Sequence, residues 1–384
     1  MSTTEPAFGY WDITNGATGG DCNKIGKWAA LTCTLGQDLK DGIKIHNNGI
    51  TLDGNGHTMN GTSQLYGVII SGLNGVTIKN VIIANFSVGI YVESGKSNTI
   101  TKNSISNSTQ SGILLNQTSQ NTIESNNILF NSNDGIQLLE SNENTMESNH
   151  VTYNGPLAGI YLKTSDNNNF ILSNFISNPS NTVNMGAMAG VEIKDNSAHN
   201  LVEFNTITKD RLMGVQIFDS SSNDVTCNDI SSHGAAVMFG AHDGIQVINR
   251  PSISNQIYMN NFLDSDSATV TAVAGTNKFD LPKPIGGNYW DVFSPPAAPC
   301  PSNDNVFCNT PPAPYAFPGD QDNIPRVKQI LWKTNPNLCM SNLTTNNLEI
   351  ASAGETIPEF PFTLVPLLIG FASLLIFYRI KFKF

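Results

Sequence analysis

The sequence predicts an all-β fold: a single-stranded right-handed parallel β-helix of roughly ten coils, with an N-terminal and a C-terminal cap and one C-terminal transmembrane helix. Three observations predict it. An asparagine pair recurs at fixed spacing, a glycine-led strand motif recurs with it, and the apolar residues alternate with period two. No stretch of 3.6-residue periodicity occurs before the last thirty or so residues.

The unit Asn-x-Φ-x-x-Asn (Φ apolar) begins at Asn98, Asn121, Asn144, Asn169, Asn200, Asn223 and Asn255. Its second asparagine follows five residues later, at Asn103, Asn126, Asn149, Asn174, Asn205, Asn228 and Asn260. A companion Gly-Φ-x-Φ recurs at Gly89, Gly112, Gly135, Gly159, Gly190, Gly214 and Gly244, with intervals of 23, 23, 24, 31, 24 and 30 residues. The segment from Gly67 is an earlier, less regular copy.

Ile136 and Leu138 flank Gln137, Ile160 and Leu162 flank Tyr161, and Val215 and Ile217 flank Gln216. Such alternation over three or four residues gives a short strand with one buried face. Three short strands per unit leave no room for a helix, so each unit reads as one turn of a coil. Equivalent strands of successive coils then pair about 4.8 Å apart. The asparagine follows from this stacking, because its amide both donates and accepts and identical amides can bond head to tail up the stack. Asparagine is also expected to take the left-handed backbone of the turn between strands.

Of 384 residues, 13% are charged and 32 are glycine, a mixture that suits turns rather than disorder. A net charge of −11 argues against nucleic acid or an anionic membrane surface as the main partner. Residues 1–40 read as the N-terminal cap, 41–293 as the β-helix, 294–340 as the C-terminal cap and 341–357 as a polar linker. Residues 358–384 differ in kind. Phe362 to Tyr378 carries no charge over 17 residues and is followed by Arg379, Lys381 and Lys383. That pattern predicts a membrane span with the β-helix on the outer side.

Cys22 and Cys33 lie close together in the first cap, and Cys300 and Cys308 bracket a loop in the last. Two local pairs suit disulfides and an oxidising compartment. Cys227 precedes a repeat asparagine and reads as a buried thiol, and Cys339 has no evident partner. Sequons at Asn60, Asn85, Asn107, Asn116 and Asn342 fit a glycosylated surface protein. Residues 1–25 hold no charged-then-apolar export segment. The expectation is therefore either a true start upstream of Met1 or insertion by the tail alone, which would leave the body inside.

Pro358, Glu359 and Phe360, just before the span, resemble the PEF-type sorting signals of archaeal surface proteins. The resemblance implies a sorting enzyme as partner, removal of the tail and a lipid anchor. ITLDGNGHTMNG at 50–61, the asparagine and glycine repeats, and the GGNYWDVF and PYAFPG stretches within 286–319 together resemble the NosD-like β-helix proteins of the pectin-lyase-like superfamily. The likeness covers about residues 30–325. It implies the coil fold, with polysaccharide lyases, uronate epimerases, surface proteins and a copper-enzyme accessory factor among the relatives. Where relatives carry an Asp-rich, calcium-like run after the Tyr-Trp, this chain has Pro-rich sequence and the Cys300–Cys308 loop. No cofactor is expected from the residues themselves. Copper and calcium are the metals the resemblance leaves open.

The two long intervals each carry about seven extra residues, at 177–189 and 231–243, just before a Gly-Φ-x-Φ strand. Lying two coils apart on one side, they are expected to wall a groove. Its floor would be the outward column Tyr91, Leu114, Gln137, Tyr161, Glu192, Gln216 and Gln246. The superfamily resemblance points to the same face. Lys163 and Lys194 fall in one column of successive coils, so an anion is expected between them. Glu192 is one candidate, and the carboxylate or sulfate of a bound polysaccharide or surface glycan is the other, with Tyr161 stacked on a sugar. His242 and Asp243 at one insert's exit, His233 at its entry and Arg211 in the coil between form a candidate set for removing a proton alpha to a carboxylate, as in a lyase or epimerase. The Asp clusters of pectate lyases and the Asp-Pro-His-Asp of alginate epimerases are absent. Met185, Met188 and Met238 in the inserts are candidate soft ligands for Cu(I), or fillers of irregular gaps. The leading expectation is a surface-anchored polysaccharide binder. A lyase or epimerase comes second, and a copper-handling accessory or structural surface protein after that.

Overall fold

The computed structural model describes residues 9–62, 65–164, 168–179, 187–231, 243–248, 252–264, 267–270, 276–309, 314–317 and 320–339. Two units divide the chain, Met1–Cys339 and Met340–Phe384. The second, with the expected span and Pro358, Glu359 and Phe360, lies outside the described residues. No helix among the described residues is long and apolar enough to cross a membrane.

The first unit is a parallel β-solenoid. Among the described residues its three long sheets hold 11, 11 and 10 strands, and through the regular coils each joins every third strand of the chain. One coil reads Ile136–Leu139, Thr145–Glu147, His150–Thr152, a strand in each sheet. Right-handed is the sense that parallel crossovers of L-residues take. The second sheet shows why the strands are so short. Only its middle residue points inward: Ile100, Ile123, Met146, Ile171, Val202, Val225 and Ile257 stack in register, each 0% exposed. Each such side chain is worth about 1.5–3 kcal/mol of burial.

The asparagines stack as predicted. One ladder runs Asn98, Asn121, Asn144, Asn169, Asn200, Asn223, Asn255, Asn277, with amide-to-amide distances of 2.9–3.1 Å. A second runs from Asn103 through Asn126, Asn149, Asn174, Asn205, Asn228 and Asn260 to Asn288, also at 2.9–3.1 Å. Asp322 closes this ladder, accepting the Asn288 backbone N–H at 2.8 Å where the next asparagine would stand. A third ladder, not evident in the repeat, joins Asn131, Asn154, Asn178 and Asp210.

The left-handed residue is not the asparagine but the one before it. Ser125, Ser148, Ser173, Phe204 and Cys227 all have φ of 56–58°. This turn aims the following amide inward, where it is fully bonded, and that offsets the strain of an L-residue with positive φ. The repeat glycine has a different cause. A Cβ on Gly112 would stand 2.7 Å from Ile128 and 2.8 Å from the Gly135 carbonyl, so stacked coils admit no side chain there.

Residues of the predicted N-terminal cap extend the sheets directly. Trp11–Ile13 pairs with Ile43–Ile45, and a hairpin of Gly26–Ala29 and Thr32–Leu35 begins the second sheet. A helical turn, Cys22–Ile25, occurs where no helix was expected. At the far end Tyr289–Trp290 joins the third sheet, with Trp290 stacked 4.0 Å from Phe262.

Disulfides link Cys22 to Cys33 and Cys300 to Cys308, as their spacing suggested. Cys227 is buried as expected, 1% exposed, but it is not a free thiol and Cys339 does have a partner, for the two form a third disulfide. Cys227 sits at an outward-facing turn, and the segment before Cys339 folds back over it.

Candidate functional site

The outer face of the first sheet carries the predicted floor. Gln137, Tyr161, Glu192, Gln216 and Gln246 occupy one register position in five successive coils. Lys163 and Lys194 are paired in the next column, flanked by Leu139 and Phe218. Inward-facing Ile160, Leu162, Val191 and Ile193, all 0% exposed, fix which way these side chains point.

Burial and partners differ from the expectation. Tyr161, Glu192 and Gln216 are only 6%, 5% and 8% exposed, so the floor is closed at these three coils, while Tyr91, Leu114 and Gln137 stay half-buried. The Gln216 amide donates to the Met213 sulfur at 3.4 Å. Lys194 lies 4.0 Å from Glu192 and 5.0 Å over the Phe218 ring, while Lys163 reaches Asp195 at 3.8 Å. Both lysines act on the Glu192 carboxylate, as expected of an anion between them, with Lys194 the stronger. The Lys163 and Lys194 side chains stay 46% and 32% exposed.

Asp134, missed from the sequence, joins this floor. It is 0% exposed and accepts the Ala158 N–H at 3.0 Å. Burial, with the charge of Glu192 adding to it, pushes its carboxyl up to about 8. Burial likewise raises Glu192, with Lys194 pulling the other way. The Tyr161 hydroxyl is raised by burial and by Glu192, Asp134 and Asp195. A carboxyl that holds its proton near neutrality, Asp134, and a second one raised by burial, Glu192, thus flank a tyrosine, with two cations at the rim. Such a set can donate protons or receive an acidic ligand. A signal for Asp134 existed, for it stands one residue before a repeat glycine, where Ser111, Ala158, Ala189, Met213 and Asp243 stand in other coils.

The other candidates are only partly placed. The Asp243 backbone pairs with that of Met213, and the Arg211 N–H donates to the Ala187 carbonyl at 2.7 Å. His233, His242, Met185 and Met238 lie outside the described residues. Met188 is half-buried, its carbonyl accepting the Met213 N–H at 2.9 Å. Among the described residues no three His, Cys, Asp or Glu side chains converge as a metal cage.

A family model described as "Periplasmic copper-binding protein (NosD)" matches residues 22–192 and 180–295, most of the solenoid. The chain belongs to the NosD family. No curated protein matches it significantly. Solved structures similar to this NosD-family chain include the Azotobacter vinelandii mannuronan C-5 epimerase AlgE6 A-module, 16% identical, covering 65% of this chain and 77% of that one with a TM-score of 0.44. Pectate lyase Pel9A is 15% identical, covering 77% and 82% with a TM-score of 0.48. The enzymatically active domain of bacteriophage CBA120 tailspike protein 2 is 15% identical, covering 71% and 47% with a TM-score of 0.40. Likenesses this distant carry no inference about what this chain does.

The family description raises copper, and the described residues do not fit it. All six cysteines are in disulfides and the Met213 sulfur accepts from Gln216, which leaves Met188 as the one soft donor among the candidates described.

Proposed function

We propose that this NosD-family solenoid works outside the cytoplasm and binds an acidic polysaccharide along the outer face of its first sheet. The observation that carries the reading is the register of Lys163 with Lys194 beside Tyr161 and Glu192. Stacked strands set the two cations one coil apart, about 4.8 Å, spaced to engage anionic groups along one glycan chain. Three disulfides suit an oxidising compartment. Glycan contact starts at the exposed lysines, and reaching Tyr161 requires the floor to open.

The test is retention of the full-length protein on arrays of uronate and sulfated glycans. Lys163→Ala with Lys194→Ala should weaken retention about tenfold, equivalent to ~1.4 kcal/mol. Unchanged retention would remove this face from consideration. A second reading, uronate lyase or epimerase, is favoured by the proton that Asp134 holds near neutrality. In the same incubations it predicts an unsaturated or epimerised product that disappears in Asp134→Asn.

A further inference from the structure

A second cluster of acidic and hydroxyl groups lies on the outer face of the second sheet, toward its C-terminal end. Glu203, Thr226 and Tyr258 share one column in three successive coils, and Asp224 stands in the neighbouring column. The inward residues between them, Val202, Val225 and Ile257, are 0% exposed, so these four side chains face outward. Outward here does not mean solvated. Glu203 and Thr226 are each 4% exposed and Tyr258 is 5% exposed, and Tyr258 packs in an apolar cluster with Cys227, Leu281, Ile330 and Trp332.

Glu203 Oε1 is buried and has no hydrogen-bond partner among the described residues. A carboxylate left in that state is costly unless something neutralises it. Burial, reinforced by Asp224, pushes Glu203 up to about 7. Burial pushes Asp224 up to about 6, with His199 as the opposing charge, and that histidine is exposed. The Thr226 hydroxyl donates to the Cys227 sulfur at 3.5 Å, which leaves its oxygen lone pairs free to accept.

We propose that Glu203 and Asp224, with the hydroxyls of Thr226 and Tyr258, form a site for a hard divalent cation such as calcium, which ties three coils together. The donors are all oxygen, the set such ions take. Two carboxylates balance a dication, whereas a single proton neutralises only one of them. Water completes the coordination. With two acidic ligands the dissociation constant should be on the order of 10⁻⁴–10⁻³ M, the range of extracellular modules.

The test uses chelator-stripped full-length protein at pH 8, titrated with calcium for thermal stability and with terbium for tyrosine-sensitised luminescence. At a calcium concentration of about 100 times the dissociation constant the midpoint should rise by about 5 °C. Terbium should luminesce, with Tyr258 beside it as the donor. Glu203→Gln and Asp224→Asn should each abolish both responses. Glu147→Gln, two coils earlier in the Glu203 column, should leave them intact. If Glu203→Gln fails to fold, Asp224→Asn and the loss of sensitised emission in Tyr258→Phe decide. A wild-type protein that responds to neither ion, or a response that survives both Asp224→Asn and Tyr258→Phe, overturns the proposal.

Discussion

Asn149 shows what one ladder position does. It is 1% exposed, and its Oδ1 accepts both the backbone N–H and the side-chain amide of Asn126 at 3.0 Å. Its own amide donates to the Ile123 carbonyl at 2.8 Å and to Asn174 Oδ1 at 3.0 Å. Asn149→Ala therefore breaks four buried hydrogen bonds at once and leaves the Asn126 backbone N–H without its acceptor, while Asn174 Oδ1 keeps the Asn149 backbone N–H at 2.9 Å. At about 1 kcal/mol for each bond, the loss should be ~4 kcal/mol. Gln117→Ala removes only an exposed bond to Glu140 and should cost at most ~0.5 kcal/mol. Denaturant unfolding of the two variants checks this, and an Asn149→Ala loss below about 1 kcal/mol would contradict it. At this scale the sequence revealed that amides stack but misplaced the strain, because a repeat shows which residue recurs and not which one carries the positive φ. The third ladder was missed although its members follow the second by four or five residues. Asn178 follows Asn174 by four residues instead of five, and Asp210, which keeps the spacing of five, is not an asparagine.

Beyond the coils, the element that matters most is the segment at 327–339, which folds back along the flank of the solenoid. The Ile330 backbone exchanges two hydrogen bonds with the Asn261 side chain, at 2.7 and 3.0 Å. Trp332 Nε1 donates to Asp229 at 3.0 Å, and Lys333 meets the same carboxylate at 2.6 Å. The Cys227–Cys339 disulfide closes the strap across 112 residues of sequence. A crosslink of that span removes about 4–5 kcal/mol of unfolded-chain entropy, against ~3 kcal/mol or less for a loop as short as that of Cys300–Cys308. Cys339→Ser should therefore lower unfolding free energy by about 4 kcal/mol and expose Trp332, read as a red-shifted emission. A variant with unchanged midpoint and emission would show that the noncovalent contacts suffice. This element was illegible in the sequence because a pairing across 112 residues leaves no periodic trace. Only the repeat-bound Cys227 had a predictable position, and an unpaired reading was the natural one.

At the scale of the whole solenoid, legibility follows the repeat. Coil spacing dictates strand register, so the columns of Tyr161, Glu192 and Gln216 and of Lys163 and Lys194 follow from the repeat intervals alone. Burial does not, since Tyr161 looks outward by periodicity yet is 6% exposed, and packing over a sheet face lies outside what alternation encodes. Asp134 and Asp195 were missed for a related reason, because their roles depend on which charges sit across coils rather than along the chain. The glycan-binding face stands or falls with the register, and a crosslink tests that register directly. Positions 163 and 194 are 31 residues apart in sequence, yet stacking sets their backbones about 4.8 Å apart, within the roughly 4.4–6.8 Å a disulfide spans. Mild oxidation of Lys163→Cys with Lys194→Cys should join the two positions, identified by peptide mass. Lys163→Cys with Phe218→Cys, two coils apart at about 10 Å, should not join. Equal crosslinking in both pairs, or none between 163 and 194, would contradict the stacked coils on which the binding face depends.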